Sequence, residues 1–105
     1  MPPTMLYEAV EKAFKKKKDQ ISRADPIERI LITNMTRHGV LGLPHYDKYY
    51  VVVVPLENGG SELNIKLCSY WVDFERQELK PEENREVVKR RREAFVKAVE
   101  AALEE

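Results

Sequence analysis

The sequence predicts a two-layer α+β domain of order α-β-β-β-α, an antiparallel three-stranded sheet with two helices on one face. Three observations lead there. Apolar residues recur every three or four positions at both ends of the chain, alternate every second position in its middle, and are separated by short breaks containing Pro, Asn or Gly. At 105 residues, one domain covering 1–105 is expected, built on a single core.

At the start, Met5, Leu6, Ala9, Val10, Ala13 and Phe14 fall on one helical stripe, with Thr4 as the expected N-cap after Pro2 and Pro3. Lys15 to Lys18 end the helix, where positive charge complements the last carbonyls. Asp25-Pro26 breaks the chain, and Arg29 to Met35, rich in β-branched residues, reads as the first strand. Gly39 to Pro44 reads as a loop, and Lys48 to Leu56, with its four consecutive valines, as the second strand. Asn58-Gly59-Gly60 supplies a hairpin turn. In the third strand Leu63, Ile65 and Leu67 mark one face, but after Cys68 and Ser69 the apolar phase moves to Tyr70, Val72 and Phe74, which predicts a β-bulge there. Lys80-Pro81-Glu82-Glu83 is expected to open the last helix. Its buried stripe is Val88, Phe95, Ala98, Val99 and Ala102, with Arg90, Arg92, Glu93, Lys97 and Glu100 toward solvent.

Composition narrows the function classes. Eighteen basic and eighteen acidic residues cancel, so an electrostatic partner has to be met by a local patch. The single cysteine, Cys68, excludes an internal disulfide and a multi-cysteine metal site. No apolar run approaches the ~20 residues of a membrane span, and Met1-Pro2-Pro3 lacks the layout of a secretory signal.

Three groups of residues bear on function. His38 and His45, with Tyr46 and Asp47 beside them, are types that bind metals or move protons, but their spacing fits no ligand motif. They read as loop residues, and no metal or cofactor is expected. Lys15, Lys16 and Lys18, with Lys89, Arg90, Arg91 and Arg92, form two basic runs that would serve a phosphate-binding surface. Four consecutive lysines span more than a helical turn, however, and Glu82, Glu83, Glu86 and Glu93 dilute the second run. Aromatic residues concentrate in the second and third strands. Alternation places Tyr49 and Tyr50, and likewise Tyr70 and Trp71, on opposite sheet faces, so one set packs inside while the other marks a protein-binding surface. No nucleophile with a neighbouring base and no Gly-rich phosphate loop is present, and no enzymatic activity is expected.

The line from Leu6-Tyr7-Glu8-Ala9-Val10 through Ile30-Leu31-Ile32-Thr33, Tyr49 to Val54, Leu63 to Leu67 and Arg92 to Leu103 resembles small bacterial envelope lipoprotein domains. Its layout is similar to the helix-grip domains of the lipoprotein subunit of the outer-membrane barrel-assembly machine. That resemblance implies a non-catalytic periplasmic or outer-membrane-associated module that contacts proteins through its sheet face. The same element order is that of double-stranded RNA-binding domains, although Pro81-Glu82-Glu83 stands where those carry lysines. A designed scaffold is a further alternative, given the Glu-, Lys-, Arg- and Ala-rich last helix. The leading expectation is a non-enzymatic protein-interaction domain, with self-association through the sheet as one form of partnership.

Overall fold

Two helices enclose six strands in the order α1 (Pro3–Lys16), β1 (Ile21–Asp25), β2 (Ile30–Thr33), β3 (Thr36–His38), β4 (His45–Pro55), β5 (Ser61–Asp73), β6 (Glu78–Pro81) and α2 (Arg85–Leu103). The computed structural model describes residues 1–39 and 44–105, so most of the loop expected at Gly39 to Pro44 lies outside the described residues. All pairings are antiparallel, and the sheet runs β1-β2-β4-β5-β6 with β3 also on β4. The class is α+β with two helices, as expected, but the sheet has six strands rather than three.

The additional edge strands were hidden by their turns. Asp25 Oδ1 accepts from the N–H groups of Ile27 (3.1 Å) and Glu28 (3.0 Å), and Arg29 closes that turn at φ 59°. The β5–β6 turn has the same build: Asp73 Oδ1 accepts from Arg76 N–H (3.2 Å), and Gln77 closes it at φ 55°. Glycine or asparagine usually holds such a left-handed position, and neither stands here. The punctuation that marks a hairpin is therefore missing from both turns. Lys80 and Pro81 consequently end β6 instead of opening the last helix, and α2 starts beyond them with the Asn84 side chain accepting from Glu86 N–H (3.1 Å). The first helix begins at Pro3 with Pro2 as N-cap, so Thr4 is inside it rather than capping it.

The extra residue expected in the third strand is elsewhere. β4 and β5 pair without interruption from His45↔Trp71 to Pro55↔Ser61. Along the other side of β4, Ile32 opposes Tyr50 but Thr36 opposes Asp47, so Thr33, Asn34 and Met35 face only Lys48 and Tyr49. One surplus residue reverses the side-chain alternation beyond it. Leu31 and Thr33 face the helices before the irregularity; Thr36 and His38 face them after it, opposite Asp47 and His45. The Tyr49 N–H that the irregularity strands donates instead to the buried Thr33 hydroxyl (3.0 Å).

The core lies between the helices and the odd-numbered residues of β4. Leu6, Ala9, Val10, Ala13 and Phe14 from α1 and Phe95, Val99 and Ala102 from α2 meet Leu31, Tyr49, Val51 and Val53. Phe14, Tyr49 and Phe95 form an aromatic trio with centroids 4.7–5.5 Å apart, which joins both helices to the same face. The opposite face has no helix over it among the described residues.

Candidate functional site

Below the aromatic trio the helix-facing surface changes from apolar to charged. Along β4 the inward residues run Val53, Val51, Tyr49, Asp47, His45, and their partners on β5 run Leu63, Ile65, Leu67, Ser69, Trp71. Asp47 and Ser69 are buried, which requires partners for both. The Ser69 hydroxyl donates to Asp47 Oδ1, and Arg91, entering from α2, donates through Nη1 to the Ser69 oxygen. Arg91 Nη1 also stands 3.9 Å from Asp47 Oδ1, and His45 Nε2 is 3.3 Å from Asp47 Oδ2.

A second histidine–carboxylate pair stands alongside. Asp19, just past α1, has a fully buried side chain whose Oδ1 meets His38 Nε2 at 3.0 Å. Lys17 Nζ lies 3.6 Å from Asp19 Oδ2 and 4.7 Å above the Tyr49 ring. The two imidazoles are 5.6 Å apart, and each is 21 % exposed, so both remain open to solvent and protons. Burial, more than any neighbour, holds His45 below the ordinary histidine value; Arg91 and His38 act in the same direction and Asp47 opposes them. The Tyr49 phenol is pushed well up by burial and stays protonated. Chemically this is a compensated cluster of two carboxylates, two cations and two imidazoles, able to take up protons. Among the described residues no group of three or more His, Cys, Asp or Glu side chains is placed to hold a metal ion. Cys68 stands opposite Lys48, on the face away from the histidines.

From the sequence, His38 and His45 read as loop residues with Asp47 beside them; β3 and β4 hold them instead, and Asp19 and Arg91, distant along the chain, carry no local signal that joins them to the histidines.

The four aromatics divide by alternation. Tyr49 is 1 % exposed in the core and offers no contact surface. Trp71 shares its side of the sheet, opposite His45, and is 43 % exposed. Tyr50 and Tyr70 are half-buried on the helix-free face, where Tyr46 opposes Tyr70. Of the basic residues, Lys15 lies 3.7 Å from Glu11, Lys16 contacts Glu105 and Arg91 turns inward, while Lys18, Lys89, Arg90 and Arg92 are exposed, and Lys89 and Arg92 line one pocket.

Compared with known proteins, the chain matches no family model and no curated sequence. Among the described residues no helix is long and apolar enough to cross a membrane.

Proposed function

We propose that this domain is a non-enzymatic protein-interaction module that uses the helix-free face of its sheet. One observation carries the reading: Ile32 and Tyr50 form a half-buried row across β2 and β4, with Val52 beside it and Tyr46 opposite Tyr70 farther along the same face, and among the described residues no helix lies above them. Lys48 Nζ and Lys66 Nζ stand 5.2 and 5.7 Å from the Tyr50 ring, so the row is flanked by positive charge. A partner surface with apolar residues bordered by carboxylates fits that arrangement. The helix-grip resemblance supports the same use of the sheet.

The test is a pull-down with the intact chain and with Tyr50→Glu/Tyr70→Glu, whose fold is checked by circular dichroism. Loss of the captured partners with an unchanged spectrum supports the reading, and full retention sinks it. The nucleic-acid alternative rests on Lys89, Arg90 and Arg92 at the surface of α2. It requires binding to double-stranded RNA that weakens steeply with salt and disappears in Arg90→Glu/Arg92→Glu.

A further inference from the structure

We infer that a second copy of this chain pairs with the open edge of β5, in one register, to continue the sheet across a two-fold axis. β6 covers only Tyr70 to Asp73 of β5, and Glu82 N–H donates to Ser69 O (2.8 Å) just beyond. Below that point β5 has a strand on one side alone among the described residues. The direction of its free groups follows from its ends. Leu56 N–H donates to Gly60 O (2.9 Å) at the hairpin, and Ser69 O points to Glu82, so the even residues bond toward β4 and the odd residues point outward. Ser61, Leu63, Ile65 and Leu67 therefore present their N–H and C=O groups to whatever lies alongside.

Two independent constraints select the same pairing. Ser69 O is already engaged, so the first residue of an incoming antiparallel β5, Ser61, reaches no further than Leu67. Placing Ser61 against Leu67 puts Leu63 against Ile65, and it sets Glu62 of each copy opposite Lys66 of the other. Both charged side chains are exposed on the helix-free side. Opposite charges directly across a ladder attract, so this pair favours that register over the next one back, which sets Glu62 against Asn64, and over the one after it, which sets Glu62 against Glu62. Charged residues on an edge ordinarily prevent pairing, but here their spacing makes the edge complementary to itself.

The helix above is consistent with the same axis. A cavity of about 380 Å³ is lined by Leu63, Asn64, Ile65, Arg92, Glu93 and Val96 of β5 and α2, and in this register the axis passes beside it, at Asn64. Each copy thus brings one charge of each sign, Arg92 and Glu93, to the junction. A formal net charge of zero leaves no long-range repulsion between copies.

Sedimentation equilibrium over a range of concentrations tests the assignment. The native chain should dimerise, and Glu62→Lys or Lys66→Glu alone should weaken the dimer by about tenfold to a hundredfold. Mixing the two variants in equal amounts should restore a heterodimer, because one chain then carries lysine at both positions, the other carries glutamate at both, and every cross-strand pair is again of opposite charge. Ile65→Pro removes an outward N–H without touching the β4 ladder, and it should give a monomer with an unchanged circular dichroism spectrum. A chain that stays monomeric at every concentration overturns the inference and leaves the edge to a foreign strand. So does a dimer that is indifferent to these variants, or one dissolved by Tyr50→Glu/Tyr70→Glu instead, which would place the contact on the sheet face.

Discussion

The two halves of the helix–sheet interface are held by different physics. In one half Val51, Val53 and Tyr49 pack against Phe14 and Phe95, and removal of apolar area from water stabilises the contact. In the other Asp47, Ser69, His45, Asp19 and His38 occupy the equivalent layer and depend on mutual pairing. An apolar contact tolerates the loss of a neighbour in proportion to the area lost, whereas a buried charge that loses its partner bears the whole desolvation cost. The difference teaches where the molecule is merely stable and where it is sensitive to conditions.

The sharpest way to break the comparison is at the apolar end. Phe95→Ala should lower the unfolding free energy by about 3–5 kcal/mol in urea titrations, because it removes the ring both α1 and β4 pack against. A loss below about 1 kcal/mol would mean the trio does not join the helices to the sheet. At the polar end Asp47→Ala should cost about 2–3 kcal/mol, less than a fully buried pair because Arg91 keeps some access to water. An effect no larger than that of a surface substitution would remove the cluster from the list of structural elements. Thr33→Val is nearly isosteric yet should cost about 1–2 kcal/mol, since it orphans the buried Tyr49 N–H. Unchanged stability there would show that water replaces the hydroxyl.

Acid sharpens the contrast with the smallest step. The folded His45 binds a proton less readily than the ordinary value of about 6.5, so the unfolded chain holds more protons in that range. Its contribution is present above about pH 6.5 and is lost as pH falls through the lower folded value. The urea midpoint should therefore drop between neutral and mildly acidic pH, and His45→Asn should flatten that dependence. An identical slope in both proteins would assign the acid sensitivity to other groups.

Much of the apolar half is legible in the sequence. The stripe from Leu6 to Phe14, the stripe through Phe95, Val99 and Ala102, and the alternation of Leu63, Ile65 and Leu67 all follow local periods. The polar half is not, because its members come from α1's end, β3, β4, β5 and α2. The displaced bulge shows why. After Ser69 the apolar residues of β5 change face without any break in register, because Ser69 itself turns inward to satisfy Asp47. Periodicity assumes that the inward face stays apolar, and a buried polar cluster violates that assumption. The same cluster depends on the surplus residue at Asn34–Met35 to turn His38 inward, a shift that no composition signal marks.

The aromatic trio also links the two ends of the chain. Phe14 and Phe95 stack at 4.7 Å, and Lys16 meets Glu105. During synthesis the apolar stripe of α1 waits for its helical neighbour until all six strands have been made. Closure of so long a loop costs entropy before its contacts repay it, so helix docking is a late and slow event beside formation of the β4–β5 hairpin. A chain that ends before Phe95 would keep the β4–β5 hairpin but expose the apolar stripe of α1, a form suited to chaperones rather than to its folded role.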